Sequence, residues 1–232
     1  NVIYADCNRD DLCMSLDDLK RKVTKSTKAV CVTHIGGHIA FQIEEIAAFC
    51  KEKGLTLIED CAHAHGAEYK GKTAGAWGLG GAYSFYATKT MPLGDGGMVT
   101  TDDAALAERL RLLRQYGWRD RYVSVLRGMN SRLDEMQAAL LRVKLRHLER
   151  HNAARRALAA AYARALRHVA PPTEAPGGTH VFHLYVVRAA RRDGLQAFLR
   201  ARGIGTAIHY PVPVHRQEAY RALTPPGGLP HT

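Results

Sequence analysis

The sequence lacks the marks of several protein classes. Only 7% of its 232 residues are aromatic, and no apolar run approaches the roughly 20 residues that a membrane-spanning helix requires. Its five cysteines form no C-x-x-C pair and show no metal-ligand spacing, which predicts reduced thiols and no metal site. The glycine-rich segment 66–81 lacks the G-x-x-x-x-G-K-[ST] spacing of a P-loop. We therefore expect a cytoplasmic protein without a membrane partner.

Acidic residues are the scarcer charged class. The chain has 33 Lys and Arg against 22 Asp and Glu, a formal net charge of +11. Such a balance is typical of nucleic-acid-binding proteins. Here, however, the arginines are spread over residues 109–167 at helical spacing, without interleaved aromatics and without a zinc or helix-turn-helix signature. We interpret them as a solvated helix face and expect no nucleic-acid partner, although a positive field would attract a small anionic ligand.

The two ends look incomplete. The chain starts Asn-Val-Ile-Tyr, inside a strand-like run and without an initiator methionine, and it stops at Pro-His-Thr. Its length suits one large domain, or a domain and part of a second. We interpret the sequence as truncated at both ends.

Short apolar runs alternate with amphipathic segments in the first part of the chain. Ser15 is placed to cap a helix that runs to Val23. A second helix is expected over residues 41–53, ended by Gly54. Strands alternating with helices predict a parallel sheet joined by right-handed crossovers. The predicted strands are residues 2–5, 29–33, 55–58, 82–86 and 98–101.

The second part of the sequence predicts fewer and longer elements. Asp102 or Asp103 should cap a helix that runs to Tyr116, and residues 117–128 should form a loop. A single long helix over about 133–168 is expected to bridge a large domain, residues 1–145, and a small incomplete domain, residues 146–232. Asn130 or Ser131 could cap that helix. In the small domain, a strand at 181–188, a helix at 192–202 and a strand at 203–209 are predicted.

Two residues have local settings that suit catalysis. Lys89 follows an apolar strand, where contact with apolar surface weakens its preference for the charged form and makes its amine a usable nucleophile. Asp60 ends the preceding strand with no Lys or Arg nearby in sequence, so its carboxylate needs a cationic partner such as a protonated pyridine nitrogen. A surface lysine and a helix-capping aspartate remain the structural alternative, because single motifs often mislead.

Four segments together resemble the DegT/DnrJ/EryC1/StrS family, the sugar aminotransferases that depend on pyridoxal phosphate (PLP). The resemblance extends from about residue 2 to residue 220. It implies the type I aminotransferase fold, an α/β fold whose mainly parallel sheet is flanked by helices, with a smaller C-terminal α+β domain. The segments are EDCAHAHGAEYKGKTAG, YSFYATK, GDGGMVTTDD and GMNSRLDEMQAALLRVKL.

The resemblance implies roles for individual residues in the cofactor site. Lys89 would bind PLP covalently, and Asp60 would pair with its pyridine nitrogen. His63, where the family usually has glutamine, would lie beside the cofactor ring. Ser84 would bind the cofactor phosphate, and Asn130 would reach the phosphate of the partner subunit's cofactor.

Other positions match the sugar pocket or depart from the family pattern. His209, Tyr210 and His215 resemble the HYP-x-P-x-H segment that faces the substrate, and His34 could line the same pocket or be a buried structural histidine. Asp95 stands where the family has glutamate. The family's glycine-threonine phosphate loop has no counterpart in this sequence.

The implied activity is transfer of an amino group, from glutamate as in the family, to a keto-sugar carried on a nucleotide, in the biosynthesis of amino sugars for antibiotics or surface glycans. The family also implies a homodimer with shared active sites. Two alternatives remain: a PLP-dependent sugar dehydratase of the same family, whose members have histidine in place of Lys89, and a non-catalytic regulatory or nucleic-acid-binding protein.

Overall fold

The chain forms six helices and nine strands within the residues that the computed structural model describes, 2–225 and 227–232. The helices are α1 (Leu16–Lys22), α2 (Ile43–Glu52), α3 (Ala104–Leu113), α4 (Glu135–Leu145), α5 (Leu148–Ala165) and α6 (Arg192–Arg200). The strands are β1 (Ala29–Thr33), β2 (Thr56–Asp60), β3 (Glu68–Tyr69), β4 (Lys72–Thr73), β5 (Gly80–Ser84), β6 (Gly97–Thr100), β7 (Trp118–Asp120), β8 (Val123–Ser124) and β9 (Gly178–Thr179). Each of these helices is too short or too polar to span a bilayer.

A four-stranded sheet with the order β1-β2-β5-β6 forms the centre of the molecule. β1, β2 and β5 run parallel, and β6 pairs with β5 in the antiparallel direction. The mainly parallel sheet that the sequence predicts is therefore confirmed. Because parallel strands end at the same edge, Asp60 at the end of β2 lies beside Thr33 at the end of β1, and it also pairs with Ala82, two residues before the end of β5.

The main core lies on one face of this sheet. Val30, Val32 and Leu57 point into it and pack with α1 and α2, whose Ile43 and Ile46 are fully buried. Each such side chain contributes about 1.5–3 kcal/mol when it leaves water. The alternating burial of β1 and β2 leaves the other face open. Its exposed residues include Cys31, Ile58 and Val99.

Helix caps agree with the sequence at two sites and differ at a third. Ser15 caps α1, and Asp103 rather than Asp102 caps α3 by accepting the Leu106 N–H at 2.9 Å. α4 begins later than predicted, and Asp134 caps it by accepting the Met136 N–H at 2.9 Å. The predicted cap at Asn130 or Ser131 is therefore wrong.

Three predicted strands do not form. Residues 2–5 have no strand partner within the described part of the chain. Residues 181–188 use their N–H groups elsewhere: Val181 donates to the Gly37 carbonyl at 2.8 Å, and Leu184 donates to the Gly36 carbonyl at 3.0 Å. Residues 203–209 have no strand at 181–188 to pair with, so of the predicted β-α-β unit only the helix, α6, is present in the described chain.

The predicted long helix is broken at residues 146–147. Arg146 and His147 donate to carbonyls three residues earlier, at 3.2 and 2.9 Å, which tightens the last turn of α4. The break lets the two helices contact different parts of the sheet region. Leu141 of α4 packs with Phe85 and Met91, and the buried Asn152 of α5 donates to the His65 carbonyl. The domain boundary at residue 145 stays a prediction.

Candidate active site

Asp60 and Lys89 lie at the carboxyl edge of the central sheet. Asp60 is the last residue of β2, and its Oδ1 accepts the Ala62 N–H at 3.0 Å, which orients the carboxylate as the chain leaves the strand. Lys89 lies in the turn after β5, where its N–H donates to the Tyr86 carbonyl at 2.9 Å. Burial lowers the pKa of Lys89, while the Asp60 carboxylate opposes this shift. A lysine with a lowered pKa has a larger neutral, nucleophilic fraction at neutral pH.

His63 lies beside this pair. Its ring is 7% exposed, and its Nδ1 accepts the Gly36 N–H at 3.2 Å, so the proton of the neutral ring is on Nε2. Burial, followed by the nearby Lys89 charge, lowers the pKa of His63 to about 4, and Asp60 opposes the shift. The ring is therefore neutral at pH 7. The structure thus brings His63, Asp60 and Lys89 close enough for the two charged groups to act on the pKa of His63. The roles of the three residues remain predictions.

The two predicted phosphate residues occupy different parts of the molecule. Ser84 ends β5, and its hydroxyl oxygen accepts the Tyr86 N–H at 3.2 Å, which leaves its own hydrogen available for an anion. Asn130 is exposed, and its Oδ1 accepts a hydrogen bond from Arg132 at 2.9 Å. None of the hydrogen bonds described for Asn130 reaches the Lys89 edge. Its role at the phosphate of a partner subunit's cofactor remains a prediction.

His34 is a structural histidine, so its predicted place in the substrate pocket is corrected. Its ring is fully buried, Nδ1 accepts the Ala40 N–H at 3.2 Å, and Nε2 donates to the Glu59 carboxylate at 2.9 Å. Both ring nitrogens are occupied, which leaves none for a substrate. The alternative left open by the sequence, a satisfied histidine at a strand end, is the one observed.

The C-terminal candidates are placed differently from one another. His209 and Tyr210 are exposed, and the His209 ring is close enough to contribute to the lowered pKa of His63. His215 is buried, with an Nε2 that has no hydrogen-bond partner among the described residues. The structure therefore brings His209 toward the Lys89 edge and separates His215 from solvent. Their substrate contacts remain predictions.

Sequence reasoning missed two residues that build this edge, Glu59 and His183. Glu59, directly before Asp60, is fully buried and accepts N–H groups from Gly75, Trp77 and Gly78, each at 2.7 Å. His183 was placed in a predicted strand, yet its ring lies 4.3 Å from that of His63. A buried acid inside a strand was the available signal for Glu59. His183 has no comparable local signal, because its contact with His63 joins distant segments.

Two buried polar atoms near Lys89 have no protein partner in the described part of the chain. They are the hydroxyl of Thr90 and Nδ1 of His183. Buried polar groups usually have hydrogen-bond partners, so such atoms beside a nucleophilic lysine are candidates for binding a polar ligand. These residues fit a phosphorylated, heterocyclic cofactor such as PLP.

A second cluster contains side chains of the types that bind metals. Ligand atoms of Asp11, Cys13 and His38 lie within 4.8 Å of one another. The Phe182 N–H donates to Nδ1 of His180 at 2.9 Å, so Nε2 of that ring carries the proton toward Nδ1 of His38, 3.3 Å away. Nε2 of His38 lies 3.6 Å from the Cys13 sulfur, so the side chains of the cluster contact one another.

Comparison with known proteins identifies the family. The sequence model of the DegT/DnrJ/EryC1/StrS aminotransferase family matches residues 1–232, the whole chain. The chain belongs to this family. The chain is 46% identical over 223 residues to a dTDP-3-amino-3,4,6-trideoxy-alpha-D-glucose transaminase of Streptomyces venezuelae, covering 93% of this chain and 59% of that protein. It is 47% identical over 207 residues to a "pleiotropic regulatory protein" of Geobacillus stearothermophilus, covering 87% of this chain and 55% of that one.

Solved structures confirm the type of fold within the DegT/DnrJ/EryC1/StrS family. The crystal structure of S. venezuelae DesV in complex with a ketimine intermediate superposes with a TM-score of 0.93 at 44% identity, over 98% of this chain and 62% of that one. A family aminotransferase from Brucella abortus gives a TM-score of 0.93 at 35% identity, over 99% of this chain and 64% of that one. The chain thus spans less than two thirds of the length of the relatives that it matches.

Proposed function

We propose that this protein is a PLP-dependent aminotransferase that transfers an amino group, from glutamate, to a keto-sugar carried on a nucleotide. One observation carries the proposal: Lys89, with its lowered pKa, and Asp60 share one edge of the sheet. Family membership supports it, because relatives at 45% and 46% identity are named as dTDP-amino-sugar transaminases. Such enzymes act in the biosynthesis of amino sugars.

Bound PLP would supply an electron sink for the bonds broken at the amino-bearing carbon. Lys89 would hold the cofactor and, once released from it, move a proton at its Nζ as general base and then general acid. The Asp60 carboxylate would keep the pyridine nitrogen protonated. Ser84 would donate its hydroxyl hydrogen to the phosphate, and the neutral His63 would lie beside the ring.

Charge and exposure support a nucleotide-linked substrate. The net charge of +11 produces a field that attracts a diphosphate. His209 and Tyr210 are exposed while His209 is near His63, so both could meet a sugar that enters from solvent. All five cysteines are free, which supports the cytoplasm as the compartment in which such sugars are made.

We further propose that the protein is a homodimer, because α4 has an apolar outer face with no covering within the described chain. We define the α4 outer face as Met136, Leu140 and Val143, which are 77%, 54% and 49% exposed. Leu141, on the other side of α4, faces the protein's own core. A second copy covering the outer face would also bring its Asn130, just before α4, toward a neighbouring cofactor phosphate.

The two alternatives make different predictions. A sugar dehydratase of this family has histidine at the position of Lys89, so the lysine argues against that activity. A regulatory role is favoured by the names of two relatives, the Geobacillus pleiotropic regulatory protein and the EryC1 sensory transduction protein of Saccharopolyspora erythraea. DNA binding that weakens with salt, in a protein that does not bind PLP, would support the regulatory alternative.

A panel assay tests the proposed activity. The protein is incubated with PLP, glutamate and a set of keto-sugar nucleotides that differ in the position of the keto group and in the base. We expect formation of 2-oxoglutarate and an amino sugar with at least one member, and loss of both products in Lys89→Ala. Lys72→Ala is the matched control, because Lys72 is exposed and lies over the Trp77 ring, 4.6 Å from its centroid. Absence of product with every sugar, or activity in Lys89→Ala, contradicts the proposal.

A further inference from the structure

Two distant segments of the chain meet beside Lys89 through the rings of His63 and His183. Their centroids are 4.3 Å apart and their planes are tilted by 41°. Aromatic pairs at such separations stabilise one another beyond the area they bury. Burial lowers the pKa of His63 to about 4 and that of His183 to about 3. Both rings are therefore neutral at pH 7, so their contact brings no two charges together.

The turn Ile35–Gly37 fixes both histidines. The Gly36 N–H donates to Nδ1 of His63, and the Gly36 and Gly37 carbonyls accept the N–H groups on either side of His183, those of Leu184 and Val181. Gly37 has a φ of +115°, and a Cβ at that position would lie 2.8 Å from the backbone nitrogen of His183. The turn therefore needs glycine for the close approach of the segment that carries His183.

α5 holds the same two segments from the other side. Asn152 donates to the His65 carbonyl at 3.0 Å, two residues after His63. Arg155, one helical turn further along, donates to the Phe182 carbonyl at 3.2 Å. Each histidine is thus next to a backbone group that α5 anchors. The Nδ1 atom of His183 itself has no hydrogen-bond partner in the described residues, so the ring is held by packing and by its backbone.

We infer that His183 is a positioning residue of the Lys89 site, which covers the His63 ring and holds it in the orientation where Nδ1 meets Gly36 and Nε2 carries the proton. The inference concerns the arrangement of the chain without its cofactor. It rests on the proposed function only for its link to catalysis. If the His63 ring were free to turn, it would lose the hydrogen bond from the Gly36 N–H and would become more exposed to water.

The direct test is an NMR titration of the His63 ring in the protein without PLP. In His183→Ala the ring is uncovered, so its pKa should rise from about 4 toward the ordinary value of 6.5. His183→Phe keeps an aromatic ring over His63 and should keep the low pKa. The control is Tyr185→Phe, because Tyr185 lies in the same segment but packs against Phe182 and Tyr162.

A milder variant guards against loss of folding. Arg155→Met removes the hydrogen bond to the Phe182 carbonyl, and the charges that act on His63 are those of Lys89, Asp60 and His209, not that of Arg155. A smaller rise in the His63 pKa in this variant would therefore be transmitted through the position of His183. If the His63 pKa does not rise in His183→Ala, or does not rise in Arg155→Met, the inference is overturned. It is also overturned if the His63 pKa rises as much in His183→Phe as in His183→Ala.

A second readout connects the ring to the cofactor. The dissociation constant for PLP, followed by its visible absorbance, should increase about three- to tenfold in His183→Ala, because the His63 ring beside the cofactor is no longer fixed, and should change little in His183→Phe. Unchanged affinity for PLP in His183→Ala would contradict the link between the His63–His183 ring contact and the cofactor. The titration in the absence of PLP tests the positioning role even if the protein proves not to be an aminotransferase.

Discussion

His34 and Glu59 form a fully buried pair, with His34 Nε2 donating to the Glu59 carboxylate at 2.9 Å. Burial raises the pKa of Glu59, but the hydrogen bond from His34 and those from the Gly78 and Gly75 N–H groups outweigh it and lower the pKa. The carboxylate thereby ties the 75–78 turn to β2. Because Glu59 directly precedes Asp60, this network fixes the strand end that presents Asp60 to the site.

Glu59→Gln should destabilise the protein strongly. The amide has one acceptor oxygen where the carboxylate has two, so buried N–H donors on one side of Glu59 lose their acceptor, at a cost of about 1–3 kcal/mol each. We expect the free energy of unfolding, measured by urea denaturation, to fall by about 3 kcal/mol. Glu68→Gln, at an exposed acid, should change it by less than about 0.5 kcal/mol. Equal stabilities of the two variants would show that the network is dispensable.

Asp60→Asn should separate cofactor binding from turnover. Lys89 is unchanged, so PLP should still attach, but the neutral amide cannot hold a proton on the pyridine nitrogen. We expect amino transfer to fall by about two to four orders of magnitude, corresponding to a lost charge partner worth roughly 3–5 kcal/mol. Asp102→Asn, at an exposed aspartate, is the control. Near-normal turnover in Asp60→Asn would place another group at the pyridine nitrogen.

Acid should destabilise the protein through its buried histidines. Burial lowers the pKa of His63 and of His65 to about 4 from 6.5. Between these values the unfolded chain binds more protons than the folded one, so stability falls as the pH drops from 6.5 to 4 and is constant above. Within this window, each histidine lowers the free energy of unfolding by up to about 1.4 kcal/mol for every pH unit of acidification. The stabilising contribution of Glu59, whose pKa is lowered, is lost only below its ordinary value of 4.5.

Urea denaturation at several pH values from 7.5 to 5 measures this slope. His63→Gln, which removes one titrating ring, should reduce the slope by about one proton, and His168→Gln, at an exposed histidine, should leave it unchanged. Constant stability across this range would contradict the burial of neutral histidines at the site.

The α4 outer face should hold the dimer together. Met136→Glu combined with Leu140→Glu places charges where an apolar partner is expected, and sedimentation should change from dimer to monomer. PLP affinity should fall with it, since Asn130 of the second copy would be lost from the phosphate. Leu158→Glu changes another exposed leucine, 63% exposed on α5, and should leave the dimer intact. A wild-type monomer, or a dimer in the double variant, would exclude this face as the interface.

The central sheet could be predicted from local pattern, but the roles of its two adjacent acids could not. Short apolar runs between glycines and acids gave β1, β2, β5 and β6 within a few residues. Glu59 and Asp60 point to opposite faces of β2, and the sequence does not say which is buried. That choice depends on His34 and on the 75–78 turn, which reach Glu59 only after folding.

The C-terminal part was less predictable for a related reason. Residues 181–188 have the β-branched and aromatic composition of a strand, yet Val181 and Leu184 donate their N–H groups to Gly37 and Gly36, far away in sequence. The break between α4 and α5 contains neither proline nor glycine, so no local signal marks it. Long-range contacts decide both outcomes, and these same contacts bring His183 to His63.

The account depends most on Lys89 as the residue that binds PLP. The direct measurement is to add PLP, reduce with borohydride, digest the protein and map the labelled peptide by mass spectrometry. The account predicts one label, on Lys89, absent from Lys89→Ala. The competing amines are Lys70, which is paired with Glu44, and Lys72, which lies over the Trp77 ring. Label on Lys70 or Lys72 with none on Lys89 would contradict the assignment of this sheet edge as the active site.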